Sequence, residues 1–226
     1  MEAKIVVHKL RTKLSVLNDA ATRRTIHQFA SKYHLVYFGA VDAREDDHQL
    51  VRGVTASTHH IDNHYTVGTF EGHDIMLVQR RNTLTFPGKP DAEFKWLIMQ
   101  IDLKRGNMPH IFMEAHRHNE TFYANLFVAI PQFQDITASV VQRDQQFAAR
   151  YNIFAKPNDY VAVGAVLLPE ITQTILQHFQ QFDYEIIDDR LYVYSNASVV
   201  TLAVLQEMLR AGMWLADVLN LIKIPV

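Results

Sequence analysis

The chain has 226 residues, 48% of them apolar and 20% charged, a composition that can bury a sizeable core and excludes an intrinsically disordered polymer. Its 22 Lys plus Arg oppose 24 Asp plus Glu for a formal charge of -2, so no whole-molecule field draws in nucleic acid or anionic lipid. Zero cysteines exclude disulfides, thiolate nucleophiles, iron–sulfur clusters and Cys-type zinc sites.

Near the N-terminus only Ile5, Val6 and Val7 form an apolar run, far short of the roughly 7 to 15 residues of a secretory signal. The most continuous apolar stretch, residues 160–168, is about half of what a spanning helix requires. The expectation is a cytoplasmic protein without a transmembrane segment. Residues 12–33 repeat Leu14, Leu17, Ala21, Ile26, Phe29, Ala30 and Tyr33 at helical spacing. Strand-like runs follow at 35–41, 50–57, 65–70 and 75–79, the last two joined through Glu71-Gly72.

Pro87, Gly88 and Pro90 mark residues 82–93 as a loop. Beyond it, residues 94–103 place Phe94, Trp96 and Ile98 on one face and Leu97, Met99, Ile101 and Leu103 on the other. A strand apolar on both faces belongs in the middle of a covered sheet. Residues 110–116 then read as the antiparallel strand beside it, and 119–142 as a short helix or strand and a loop. A strand at 151–155, a turn at Pro157-Asn158-Asp159 and a helix opened by Pro169 come next.

In the hairpin of residues 184–194, a two-residue Asp188-Asp189 loop sets Ile187 opposite Arg190, Ile186 opposite Leu191 and Tyr184 opposite Val193. Leu202, Leu205, Leu209, Leu215, Leu219 and Ile222 give the last helix, over 198–222, an apolar stripe that Trp214, Val218 and Leu221 widen. These signals predict one α+β domain over residues 1–226: a largely antiparallel sheet with the helices at 12–33, 169–181 and 198–222 packed on it. Any internal boundary falls near 132–144.

Twelve histidines are the compositional feature that points toward chemistry. Glu114, His116 and His118 alternate, so on a strand all three face the same way and present ligands for a divalent transition metal such as zinc. The competing reading makes that face the wet side of a half-buried strand, since Ile111, Met113 and Ala115 form an apolar opposite face. The run STHHIDNHY supplies His59, His60, Asp62 and His64 within six positions, a set of donors that a loop could fold around an ion. It lacks the helical H-E-x-x-H arrangement.

Other motifs fail for stated reasons. His64-Tyr65-Thr66 has no second H-x-[ST] copy to complete a two-histidine phosphoesterase. His73-Asp74 follows a glycine turn into a strand rather than sitting on a helix, and Ser57 has no nucleophile elbow around it. Neither G-x-G-x-x-G nor G-x-x-x-x-G-K-[ST] occurs. Tyr33, Tyr37, Phe38, Trp96, Tyr192 and Tyr194 are not interleaved with basic residues as base-stacking requires.

The segment FAARYNIFAKPNDYVAVGAVLLPEITQTILQHFQQFDYEIIDDRLYVYSN, followed by a long helix, resembles the soluble domain of a bacterial family of unknown function. Phe147, Tyr151, Ile153, Phe154, Leu167, Pro169, Ile186 and Leu191 carry the resemblance over roughly the last third. Residues 48–80, with Gly72 to Ile75, are similar to hypothetical proteins of small-genome bacteria. The matched positions are apolar or turn residues, so the resemblance implies a shared fold and no catalytic residue.

The functional expectation is a non-catalytic protein-interaction or scaffolding domain without a cofactor. Its contact with a protein partner or a second copy runs through Trp214, Val218 and Leu221. The rival expectation is a metal-dependent hydrolase on Glu114, His116 and His118, completed by His60 or His64 from a neighbouring strand.

Overall fold

The computed structural model describes residues 19–39, 51–57, 59–85, 88, 90–116, 120–128, 130–141, 144–196 and 199–222. The first half runs α1 (residues 19–32), β1 (Val36–Gly39), a 3-10 turn (Val54–Ser57), β2 (His60–Phe70), β3 (His73–Leu84), β4 (Ala92–Asp102) and β5 (Met108–Ala115). Next come α2 (Glu120–Val128), β6 (Gln134–Asp135), α3 (Thr137–Val140), α4 (Gln145–Ala148) and β7 (Tyr151–Ala155). The chain ends with α5 (Tyr160–Val166), α6 (Pro169–His178), β8 (Asp183–Asp188), β9 (Arg190–Ser195) and α7 (Leu202–Leu221).

The described strands form one nine-stranded sheet in the order β1-β2-β3-β4-β9-β8-β5-β7-β6, and every pairing in it is antiparallel. The fold is α+β, as the sequence predicts. β4 occupies an interior position because both of its faces are apolar: Leu97, Met99 and Ile101 face one core while Trp96 and Ile98 face another. The β8–β9 hairpin has the expected register, with Tyr184 opposite Val193, Ile186 opposite Leu191 and Ile187 opposite Arg190. In the β2–β3 turn, Glu71 and Gly72 both take positive φ, 48° and 77°, which matches the twist of the flanking strands.

Three local expectations change. Residues 110–116 do not lie beside β4; the β8–β9 hairpin takes that place, and β5 sits between β8 and β7. The hairpin is apolar toward the helices and buried on its other side too, so it needs an interior site as much as β5 does. Residues 54–57 are a 3-10 turn rather than a strand. The donor-rich run at 60–64 is part of β2, not a loop, with a bulge near His64, whose φ is +60°. The predicted helix at 12–33 is described from residue 19 onward, and Leu14 and Leu17 lie outside the described residues.

Two apolar layers sandwich the sheet. On one face α1, α5, α6 and α7 share one core with Leu97, Met99 and Ile101 of β4, with Phe29, Ile175, Met208 and Leu215 completely buried. On the other, α2 and residues 51–56 cover Trp96, Ile98, Phe112, Tyr192 and Tyr194. α7 begins at Thr201, whose side chain accepts a hydrogen bond from Val204 N. It can lie close on β4 and β9 because Gly212 faces them: a Cβ there would stand 3.2 Å from Val193 Cγ2 and collide with Ile101 Cδ1.

Candidate binding cleft

Strand alternation sends Tyr184 and Ile186 of β8 toward the helical layer and Asp183 and Glu185 toward the α2 layer, both of the latter 0% exposed. A buried carboxylate must be hydrogen-bonded. Asp183 meets that demand by accepting from Ala115 N at 2.8 Å and from the Tyr123 hydroxyl at 2.8 Å. Glu185 accepts from Val54 N at 2.7 Å, from His110 Nε2 at 2.6 Å and from the Tyr194 hydroxyl. Burial first, and the neighbouring carboxylate second, push Tyr123 and Tyr194 well above the ordinary phenol range. Tyr192, paired across the hairpin with Glu185, is raised to about 12 for the same two reasons in the same order.

The turn that reaches Glu185 is fixed by a second buried charge. Arg80 is 0% exposed and donates from Nε and Nη2 to Asp62, both at 2.7 Å. Its remaining N–H groups reach Arg52 O and Thr55 Oγ1 at 2.9 Å, and Val51 O. The planar fork thus clamps residues 51–55 onto β2 and β3. Gly53, at φ +71°, is obligatory there, because a Cβ would run into the Tyr194 hydroxyl and stand 3.0 Å from Glu185 Oε2.

Between this turn, the β8–β9 hairpin and residues 130–133 lies a cleft of about 660 Å³. His110 and Glu185 form part of its wall, with the His110 ring 4.4 Å from the Phe133 ring centroid. Arg52, Lys156 and Arg190 line it as cations, and Ile130, Ile187 and Tyr192 add apolar surface.

The residues singled out by the sequence lie elsewhere. Glu114 is buried on the α2 face, so that face is not simply wet surface; His116 Nε2 donates to Asn152 Oδ1 at 2.8 Å and Asn152 Nδ2 donates to Glu114 Oε2 at 3.3 Å. His118 lies outside the described residues. His60 and His64 are on β2, second in the sheet order, whereas Glu114 lies on β5, seventh. At about 4.8 Å per strand the separation is roughly 24 Å, so His60 or His64 does not complete a site with Glu114 and His116. Buried His64 instead contacts the Tyr37 hydroxyl at 2.8 Å and Asp19 at 3.3 Å. Burial, the largest influence, lowers its basicity even though Asp19 opposes that effect.

Among the described residues no group of three or more His, Asp or Glu side chains is arranged to hold a metal ion. On α7, Trp214 and Val218 are half-buried against the helical core, Trp214 beside Phe179 at 5.5 Å, while Leu221 is 82% exposed. Arg52, His110, Lys156 and Glu185 form no sequence motif because they are far apart along the chain. One signal did exist: the hairpin register that aims Tyr184 and Ile186 at one core necessarily aims Glu185 and Tyr192 at the opposite face.

No family model matches the chain, and no curated protein matches it. Among solved structures it is similar to the mycobacterial trehalose monomycolate transport factor A, TtfA, with a TM-score of 0.60 and 11% sequence identity over 91% of this chain and 98% of that one. At that identity the likeness is one of fold. No helix among the described residues is long and apolar enough to cross a membrane.

Proposed function

We propose that the chain is a non-catalytic interaction domain that binds an extended segment of a partner protein along strand β1. The observation that carries this reading is the edge itself. Among the described residues β1 pairs with β2 alone, and it presents Val36 at 54% and Phe38 at 59% exposure on one face. An open strand edge offers alternating N–H and C=O groups that another extended backbone satisfies, and flanking apolar side chains add contact area.

Two further observations support a binding role over a catalytic one. Arg80, Asp183 and Glu185 spend their hydrogen-bonding capacity on backbone and side-chain groups of the same chain. The structural neighbour TtfA is named a transport factor. Leu221 remains a second exposed apolar contact on α7.

The test is photo-crosslinking in cells of chains carrying benzoylphenylalanine at position 38 or, as a control, at exposed Gln146. The expected result is one discrete protein adduct from position 38 that is absent from the control and is lost with Val36→Lys. Adducts to a second copy of the chain alone would identify self-association instead. No adduct, or the same adducts from both positions, contradicts the reading.

A further inference from the structure

The cleft beside Glu185 is a separate feature from the β1 edge; three cations, Arg52, Lys156 and Arg190, and three carboxylates, Glu185, Asp188 and Asp189, line it, and they differ in how far each is already engaged. Asp188 and Asp189 line the cleft at the exposed hairpin turn, and Asp189 Oδ1 lies 3.6 Å from Arg190 Nε, so Asp189 offsets Arg190. Glu185 is saturated by Val54 N, His110 and Tyr194. Arg52 and Lys156 are different: among the described residues neither side chain has a hydrogen-bond or ion-pair partner, and both line the cleft. The buried Arg190 Nε has no hydrogen-bond partner either.

Apolar side chains form a further part of the wall. Phe133 is 4% and Tyr192 1% exposed, so both are fixed by packing behind the surface; Ile130 and Ile187 are half-buried and Pro131 is exposed, and these three offer apolar surface to the cleft. A volume of about 660 Å³ suits a ligand of small-molecule size. Two cations without partners, in one cleft with accessible apolar side chains and a saturated Glu185, match a ligand having one acidic end and one apolar end.

We propose that this cleft binds a small amphiphilic anion, its carboxylate or phosphate held by Arg52 and Lys156 and its apolar body lying on Ile130, Pro131 and Ile187. Such an acid is either free in solution or the headgroup end of a lipid, and the two sources share the same recognition chemistry. Arg52 and Lys156 are exposed, so reversing their charge removes the recognition without disturbing the core.

The experiment uses the whole chain and the Arg52→Glu/Lys156→Glu double variant. Thermal unfolding and calorimetry are run with octanoate and phenyl phosphate, and with octanamide and phenol as neutral counterparts. Co-sedimentation with phosphatidylcholine vesicles, with and without phosphatidylglycerol, forms the lipid arm. At millimolar concentration the acids are expected to raise the wild-type melting temperature by about 3 °C and the neutral counterparts to do nothing. The double variant, with an unchanged unliganded melting temperature, is expected to bind about tenfold more weakly or not at all.

Binding of the soluble acids without vesicle capture identifies a free acid. Charge-dependent capture by phosphatidylglycerol vesicles that the double variant loses identifies a lipid headgroup. Absence of both, equal binding of neutral counterparts, or equal binding by the double variant overturns the proposal.

Discussion

Arg80 illustrates how one residue organises a region that hydropathy alone misassigns. Residues 50–57 carry strand-forming side chains, yet residues 51–57 fold as a turn because the Arg80 guanidinium reaches Val51 O, Arg52 O and Thr55 Oγ1 while Asp62 neutralises it. Desolvating a guanidinium is tolerable only with every N–H engaged. Lysine carries the charge but not the planar fork, so Arg80→Lys and Arg80→Met are both expected to cost about 3 to 5 kcal/mol in urea unfolding. A lysine variant within about 1 kcal/mol of wild type would show that charge rather than the fork closes the turn. Nothing in the sequence pairs Arg80 with the Val51 and Arg52 carbonyls and the Thr55 hydroxyl, 25 to 29 positions away; the visible sign was only the Arg80-Arg81 pair on β3.

At the scale of elements, alternation was readable wherever both faces are buried. β4 and the β8–β9 hairpin follow from periodicity and turn length, because a one-residue slip would exchange two differently shaped apolar faces. The position of β5 was not readable. Strand order depends on which long-range pairing buries most surface, and β8 and β9 arrive about 70 residues after β5 to claim the place next to β4.

α7 was legible as an amphipathic helix, but its broad stripe covers its own sheet, with Leu205, Leu209, Leu215 and Leu219 all buried. Close approach at Gly212 is the reason the helix fits. Gly212→Val adds a Cβ and two methyl groups against Ile101 and Val193, so it is expected to destabilise the chain by about 2 kcal/mol despite replacing glycine in a helix. Thermal unfolding with wild-type stability or higher would mean that α7 is not seated on β4 and β9 as described.

Over the whole molecule, the residues that looked most reactive in sequence are distributed across a wide sheet and tied individually to nearby partners. His64 meets Tyr37 and Asp19, His73 meets Asp102 O and Asp217, and His116 meets Asn152. The buried carboxylates Asp183 and Glu185 tie α2 and the turn at residues 51–55 to the sheet. That account rests on Asp183 and Glu185 being enclosed with the phenols that bond them, and the phenols report on it directly.

Tyr123, Tyr151, Tyr184 and Tyr194 are held well above the ordinary phenol value, and Tyr65 and Tyr192 are raised to about 12, in every case mainly by burial. A folded-state value above the unfolded one stabilises the fold fully below about pH 10 and loses that contribution as pH rises through the folded value. Alkaline titration of phenolate absorbance, with circular dichroism monitoring the fold, is the decisive measurement. Near pH 11, fewer than half of the nine tyrosines are expected to ionise while the chain remains folded, against nearly all in urea. If the folded chain instead ionises its tyrosines together near pH 10, the carboxylates they bond are open to water and the enclosed, structural reading of that layer is wrong.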